Sequence, residues 1–462
     1  MPNYLGGATN FVHEEPKPDE VTTAQNDYIK GQFETLQATL DNNNASAADG
    51  YPSIIDIPTF VDFMLLNELA SNVDAYEFST YFHKDKNGKL RAGPIWDFNL
   101  TMGNDLFMYG LDRSFISVWQ FDNGDNIGAK FWKDLFDETN FRCYLSKRWN
   151  ELTSDEMPFN HTQLRMFIEE TDDLLAEAIV REQQAWGSVT DHASNVDNLI
   201  SWLSQRIDWI DANIGSFSSC QNVDTPPLVI SKINYNPNSA QLGDTNEQEF
   251  IEITNTGSTT VDLTGVYFGG TGFVYQFEPN TVLGAGRFVR LANDADTFRD
   301  VYGTIALGEF TRNLSNGGEQ LLLLDAFGNV IDEVFYDDSN PWPEAADGNG
   351  PYLQLNNLTA DNNNPVNWSA STEPLEGAVL SVNDHPAGVL QVFPNPSSKV
   401  LSVIASNSIE TIALLSLQGN TVMEIAVNEL SYDLDLSLFT SGAYLLKVKT
   451  TSGIIMRKII KE

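Results

Sequence analysis

Two aspartates, Asp74 and Asp97, could do chemistry together. They lie 23 positions apart, and each follows a segment that predicts regular structure: a helix precedes Asp74, and a strand-turn-strand pattern precedes Asp97. Because a hairpin brings its two ends together, both carboxylates can approach one site. One could orient an acceptor hydroxyl while the other holds a magnesium ion that bridges phosphate oxygens. The alternative interpretation is that both aspartates are structural.

The elements that must position these aspartates are readable from local signals. Asp56 can cap a helix that carries Pro58 in its first turn and ends near Ala70. Residues 77–84 then predict a strand, an Asn-Gly pair predicts a tight turn, and residues 89–95 predict the returning strand. The order is therefore helix, loop aspartate, hairpin and second aspartate, which is the order found in protein kinases.

Further along the chain the pattern changes twice. The sequence is mainly helical up to about Phe217, and its strongest helix is predicted over residues 195–214, where apolar residues recur at spacings of four and three. From residue 228 onward, with no helical pattern between them, short apolar segments separated by Gly, Asn and Asp predict strands. These segments are 228–233, 249–254, 261–268, 288–292, 320–325 and 330–336.

The predicted organisation is multidomain. A mainly helical α+β domain is expected over 1–217, followed by a linker at 218–227, a β-sandwich at 228–370, a second linker at 371–389 and another small sandwich at 390–462. The stretch 356–376 is loop-rich and is expected to act as a flexible joint.

The front of the chain resembles the CotH kinase-like family of spore-coat proteins. The resemblance rests on Asn67-Glu68-Leu69, Asn72-Val73-Asp74, Ser79-Thr80-Tyr81-Phe82, Lys84-Asp85 and Gly93-Pro94-Ile95-Trp96-Asp97-Phe98-Asn99. It implies that Asp74 is the catalytic-loop aspartate and that Asp97 and Asn99 are metal ligands, with Mg²⁺ and ATP as cofactors. Ser79 stands where a kinase catalytic loop carries a metal-binding Asn, and Asn99 where the family commonly has Asp.

The same resemblance places the family's glycine-bearing strands, with the Lys and Glu that contact phosphate, before residue 1. The N-terminus also lacks a signal-peptide pattern, so residue 1 is not expected to be the natural start. The chain is then the C-terminal portion of an atypical protein kinase and is expected to be inactive alone. The alternative hypothesis is a non-catalytic surface adhesion or scaffold protein.

The middle block resembles the lamin-tail domain. The resemblance rests on residues 249–257 and 261–266, the glycine turn at 283–286, residues 316–321, and Trp342-Pro343. It implies an Ig-like sandwich without catalysis, serving as a spacer or an adhesion module for a protein or surface-glycan ligand. Five acidic residues could suggest a metal cluster, but a solvated strand face is the preferred interpretation. These residues are Glu247, Glu249, Glu252, Asp332 and Glu333.

The last block resembles the type A C-terminal sorting domain of type IX secretion substrates. Its marks are the Pro394-Asn395-Pro396 opening, the Gly442-Ala443-Tyr444 strand and a basic final strand through Lys461; a hairpin turn is predicted at 418–420. The resemblance implies export by the type IX secretion machinery, and a protein that is secreted or attached to the outer-membrane surface.

Composition limits the remaining possibilities. With a net charge of -38 and a pI near 4.2 the protein would repel a phosphate backbone, so nucleic acid is not expected as a partner. No apolar run is long enough to span a bilayer. The two cysteines, Cys143 and Cys220, form no CxxC pair, which argues against a zinc site. They could form one disulfide or remain two free thiols.

Overall fold

The computed structural model describes residues 4–5, 10–104, 113–123, 128–238, 246–270, 272–375, 390–416, 421–450 and 453–462. The chain divides into two compact units. The first consists of Met1–Lys84 and Lys89–Asp224, and the second of Asp85–Gly88 and Thr225–Glu462. A helical front region is therefore followed by a strand-rich region, as the sequence predicted.

The first unit is built from helices and one two-stranded hairpin within its described residues. The helices are α1 (Thr23–Asp41), α2 (Tyr51–Ile54), α3 (Ile57–Ala70), α4 (Phe131–Asp137), α5 (Thr139–Thr153), α6 (His161–Trp186) and α7 (His192–Asn213). The antiparallel strands are β1 (Thr80–His83) and β2 (Arg91–Ile95). An aromatic core joins these elements: Trp132 of α4 packs against Phe60 and Phe63 of α3, with ring centroids 5.3 and 5.2 Å away.

The end of α7 is fastened to α5. Cys143 of α5 forms a disulfide with Cys220, which resolves the pairing that the sequence left open. Arg142 donates hydrogen bonds to the carbonyls of Ile214 and Asn213 at 2.9 and 2.8 Å, and a cation at a helix C-terminus also interacts favourably with the helix dipole. The first residues of the predicted linker therefore belong to the helical unit, which extends to Asp224.

Removing this disulfide is expected to destabilise the helical unit. The bridge closes a sequence separation of 77 residues, and cross-links of that kind stabilise by about 2–4 kcal/mol, mainly by restricting the unfolded chain. Cys143→Ala with Cys220→Ala, or reduction of the wild type, should lower the urea midpoint of the helical transition. Reductant should not change the double variant further. A reduced wild type with an unchanged midpoint would contradict this expectation.

The first part of the second unit contains two main sheets around one apolar core. Its elements are β3 (Leu228–Asn234), β4 (Phe250–Asn255), β5 (Val261–Asp262), β6 (Tyr267–Gly269), β7 (Val282–Leu283), β8 (Phe288–Ala292), α8 (Ala295–Tyr302), β9 (Gly308–Glu309), β10 (Glu319–Leu324), β11 (Val330–Tyr336), β12 (Tyr352–Leu355) and β13 (Trp368–Ser371). The six-stranded sheet has the order β13-β12-β3-β4-β8-β9, and the three-stranded sheet β11-β10-β6. A short pair, β5 and β7, accompanies them.

Three sequence expectations for this block are corrected. The strand series is interrupted by α8, which Asp294 caps through the amide of Thr297 at 2.7 Å and which buries Phe298. The strand predicted at 261–268 is two short strands, β5 and β6, because the chain turns between them at Gly265, whose φ is 78°. The loop-rich stretch 356–376 includes β13, whose Trp368 is buried in the shared core.

The final part of the second unit is one five-stranded antiparallel sheet, where the sequence predicted a small sandwich. Its strands are β14 (Leu390–Phe393), β15 (Val400–Leu415), β16 (Thr421–Asp435), β17 (Gly442–Thr450) and β18 (Gly453–Lys461). The long strand β15 pairs with β14, β16 and β17, and β18 pairs with β17. Its own apolar core includes Leu401, Ile412 and Leu446. The predicted turn at 418–420 lies outside the described residues.

Candidate active site and its buried support

Helix α3 begins and ends as its sequence predicts. The Asp56 carboxylate accepts a hydrogen bond from the amide of Thr59 at 3.4 Å, Pro58 lies in the first turn, and the last helical residue is Ala70. Ser71 then adopts a left-handed conformation with φ 48°, which ends the helix and turns the chain toward Asp74.

The loop that carries Asp74 is held by two asparagines. The side-chain amide of Asn67, on α3, donates to the Phe63 carbonyl at 2.9 Å, and its Oδ1 accepts from Asn72 at 3.0 Å. Asn72 in turn accepts from the backbone amide of Asp74 at 3.2 Å. Asn67 and Asn72 are both buried, so the backbone at Asp74 is fixed from within the domain while its side chain is half-buried.

Asp97 lies just beyond the second strand of the hairpin. Strands β1 and β2 pair Thr80 with Ile95 and His83 with Arg91. Asp97 follows in an exposed position with φ 61°, a left-handed conformation that costs energy for a residue with a Cβ. Asn99, two residues later, is also exposed.

The loops that carry the two aspartates adjoin each other. At one end the two loops are joined by the strand pairing of Thr80 with Ile95. At the other end they are joined by the amide of Val73, which donates to the Leu100 carbonyl at 3.5 Å. Asp74 lies on one of these loops, and Asp97 with Asn99 on the other. The expected convergence of the two segments is therefore present in the backbone.

The residues around Asp97 fit an open magnesium site, in which the protein supplies only some of the ligands. Among the described residues, no group of three or more His, Cys, Asp or Glu side chains is arranged to hold a metal ion. Magnesium commonly binds proteins through one or two carboxylates and completes its shell with water and substrate phosphates. Asp97 and Asn99 are exposed oxygen donors on one short loop, so they fit this mode of binding.

A buried ion pair supports the site from below. Glu68 of α3 and Arg206 of α7 have side chains 2% and 0% exposed, and the Glu68 Oε2 and Arg206 Nη2 atoms lie 3.0 Å apart. The Arg206 Nε also donates to the Glu68 carbonyl at 2.7 Å, and its Nη1 to the carbonyls of Ile116 and Val118 at 2.5 and 2.7 Å. Burial raises the pKa of the Glu68 carboxyl, and Arg206 acts in the opposite direction.

Glu68 also ties the Asp74 loop to the segment before α4. Its carboxylate accepts from the Tyr76 hydroxyl at 2.8 Å and from the amide of Gln120 at 2.9 Å. The Gln120 side chain donates to Ser71 at 2.8 Å, and Ser71 donates to the Phe115 carbonyl at 2.9 Å. Both ends of the loop that contains Asp74, at Ser71 and Tyr76, are therefore hydrogen-bonded to this network.

Sequence reasoning used Glu68 only as part of a motif and did not single out Arg206. Two signals were available. Glu68 is an acidic residue near the end of the mostly apolar helix α3, and Arg206 adjoins Ile207 in the buried stripe of α7. A charged residue on a buried helical face requires a partner, but local sequence does not identify that partner.

The acidic residues of the middle block are not all solvated, contrary to expectation. Glu249 and Glu252 are buried. The Glu252 carboxylate lies 2.6 Å from the Arg290 Nη2, pairs with Lys232 and accepts from Ser231 at 3.0 Å, while Glu249 accepts from the amide of Leu314 at 2.7 Å. Neighbouring strands supply the partners of Glu252, and the segment before β10 supplies the partner of Glu249, so these residues are structural. Glu247 is exposed, as predicted, and Asp332 and Glu333 are half-buried.

Comparison with protein families agrees with the three resemblances. Residues 6–210 match the family described as CotH kinase protein, residues 221–338 the Lamin Tail Domain, and residues 391–462 the secretion system C-terminal sorting domain. The chain thus combines a CotH kinase-type segment, a lamin tail domain and a type IX sorting domain. The sorting domain indicates a secreted or cell-surface-attached protein that uses the type IX secretion system.

Other comparisons add little. No curated protein matches the chain. One similar solved structure is PorZ, described as an essential bacterial surface component of the type IX secretion system of Porphyromonas gingivalis, at 8% identity and a TM-score of 0.16, covering 48% of this chain and 36% of PorZ. Another is the BSP domain of a biofilm-associated protein, at 11% identity and a TM-score of 0.15, covering 56% of this chain and 55% of that one. Scores this low do not define the fold.

Among the residues that the structure describes, every helix is too short or too polar to cross a bilayer.

Proposed function

We propose that this exported surface protein is part of an atypical protein kinase of the CotH type, which transfers phosphate from ATP. Asp74 orients the acceptor hydroxyl, and Asp97 with Asn99 holds Mg²⁺. The observation that carries the proposal is the pair of adjoining loops, one holding Asp74 on a buried hydrogen-bonded support and the other presenting Asp97 in a strained, exposed conformation.

The surroundings of Asp97 support a site that a ligand can reach. Trp96 is 61% exposed, and Phe78 on the facing loop is 59% exposed. Large apolar side chains exposed beside a carboxylate favour a binding surface over a purely structural turn. The magnesium ion, when bound, would neutralise charge on the phosphate oxygens, and the residues of this chain supply the positioning.

The parts that cradle a nucleotide are not found in the described residues of the helical unit, which contain one two-stranded sheet and no glycine-rich loop between strands. Phosphoryl transfer depends on holding ATP in line as well as on the acceptor and metal carboxylates. The chain of 462 residues is therefore proposed to be inactive alone and to form one lobe of the active enzyme.

The test is incorporation of labelled phosphate from ATP by the longest natural form of the protein. Asp74→Ala should lower the rate by about 10²–10⁴-fold, the usual contribution of a positioned acid or base, and Asp97→Ala should lower it at least as much. Asp155→Ala, an exposed aspartate between α5 and α6, is the matched control and should be neutral. Circular dichroism should be unchanged in all three variants.

A second candidate function is a non-catalytic scaffold or adhesion protein. It is favoured by Ser79, which replaces a metal-binding Asn of kinases, and by the small number of metal donors near Asp97. An inert full-length wild type would replace the kinase proposal with this one. Labelling by the 462-residue chain alone in an Asp97-dependent manner would instead overturn its proposed inactivity.

The middle block is proposed to be an Ig-like sandwich that acts as a spacer or adhesion module for a protein or surface-glycan ligand. Its support is the common core between the six-stranded and three-stranded sheets, together with buried carboxylates that are all engaged by protein donors.

A further inference from the structure

Helix α6 is unusual because none of its 26 residues is buried. Phe167, Leu174 and Trp186 are 68%, 83% and 78% exposed. A helix of a soluble domain normally buries an apolar stripe against its neighbours, since packing of that stripe provides most of its stability. Helix α6 therefore presents apolar surface that its own domain leaves uncovered.

Only one side of α6 lies on α7. That side is marked by Asp172, whose carboxylate lies 2.5 Å from the His192 Nε2 of α7, and by the half-buried residues Ile168 and Ile179. A second stripe, which we call the α6 stripe, recurs at spacings of four, three, four and seven and thus occupies one adjacent face. It consists of Phe167, Thr171, Leu174, Ala178 and Ala185.

Carboxylates flank the α6 stripe. Glu170, Asp173 and Glu177 are exposed. Glu170 is three residues from Phe167 and Glu177 is three residues from Leu174, and Asp173 lies between Glu170 and Glu177 at the same kind of spacing. The whole helix carries six acidic residues against two arginines, a net charge of -4 with histidine neutral. Both arginines are already paired within the helix, Arg165 with Glu169 and Arg181 with Glu177.

This combination selects the kind of partner. An anionic membrane or a nucleic acid would be repelled by the carboxylates. A second copy of the chain would set the same carboxylates against each other, in a protein whose net charge is already -38. A helix with apolar residues at the same spacing and Lys or Arg beside them would bury the apolar residues of the α6 stripe and pair with the carboxylates beside it.

We propose that the α6 stripe is a docking surface for a cationic amphipathic helix of another polypeptide. Phe167 and Leu174 provide the apolar anchors, and Glu170, Asp173 and Glu177 provide the electrostatic selection. The proposal is independent of phosphate transfer, because α6 contains neither Asp74 nor Asp97.

The test uses the full chain and two fluorescent synthetic peptides of about three heptads, with leucine at the core positions and either lysine or glutamate at the flanking positions. The lysine peptide should bind in fluorescence anisotropy, and the glutamate peptide should not. Phe167→Ala with Leu174→Ala should weaken binding by about 10–100-fold through lost apolar burial. Because both side chains are exposed, helix content should not change.

Two further variants separate the proposal from its alternatives. Val366→Ala, at a residue 76% exposed in the second unit, should leave binding unchanged. Glu170→Gln with Asp173→Asn and Glu177→Gln should weaken binding most at low salt. Equal binding of the lysine peptide to the wild type and the Phe167-Leu174 variant, or no binding to either, would overturn the proposal. So would a dimer, detected by sedimentation, that the same double variant dissociates.

Discussion

A chain that lacks residues 391–462 is expected to remain in the periplasm of a type IX-secreting bacterium instead of reaching the cell surface. These residues match the sorting domain and form a sheet with its own apolar core, so their removal should leave the preceding sheets intact. The effect should be a nearly complete loss of surface exposure. Fractionation and surface proteolysis would measure it, with both proteins expressed behind the same established signal peptide.

Two controls distinguish loss of the sorting signal from loss of the folded structure. The truncated protein should give the same protease-resistant lamin tail fragment as the full chain, because the strands from β3 to β13 are retained. Residues 376–462, joined to a periplasmic reporter, should carry that reporter to the surface. Full surface delivery of the truncated protein would contradict the assignment of the sorting domain.

Replacement of Arg206 by methionine should destabilise the helical unit by about 3–5 kcal/mol, the usual cost of breaking a buried ion pair from one side. The change leaves the Glu68 carboxylate buried without its cation and removes the donor to three backbone carbonyls, those of Glu68, Ile116 and Val118. Urea unfolding of the full chain would measure the loss. Hydrogen exchange over residues 71–78 should increase, because the network holds that loop at Ser71 and Tyr76.

The matched control is Arg165→Met, which breaks an exposed ion pair with Glu169 on α6 and should change stability by less than about 1 kcal/mol. If Arg206→Met does not fold, Glu68→Gln provides a milder test of the same network, and its unfolding free energy should still fall. The double variant Glu68→Gln with Arg206→Met should recover part of the loss, since no charge is then buried alone. Stability of Arg206→Met within about 1 kcal/mol of wild type would contradict a structural role for the pair.

Much of the local structure was predictable from short-range signals. The cap at Asp56, the end of α3 at Ala70 and the bounds of β8 and β11 agree with the sequence pattern, because capping and period-two alternation depend on residues only a few positions apart. The missed helix α8 also had such signals, in Asp294 before it and Gly303 after it. That omission was one of interpretation, since the sequence contained the information.

Whether a charged residue is solvated or buried in an ion pair was not predictable in the same way. Glu68 and Arg206 are 138 positions apart, and Glu252 and Arg290 are 38 apart. Whether an acidic residue on a strand or helix is solvated or paired depends on which distant segment packs against it. Local alternation therefore placed Glu252 on a solvated face, although the neighbouring strands β3 and β8 bury it between Lys232 and Arg290.

The periodicity of α7 shows which part of helix packing the sequence predicts and which part depends on tertiary structure. Its apolar spacing predicts one stripe from Val196 to Ile214, but only the half from Leu203 onward is buried in the domain, while Val196 and Ile200 are half-buried. An apolar stripe specifies that a helix can pack, and the sequence by itself determined this, together with the three domain types. Tertiary structure alone decided which surface covers each stripe, which carboxylate pairs with which arginine, and that Cys143 is bonded to Cys220. Each of these depends on segments that folding brings together from distant parts of the chain.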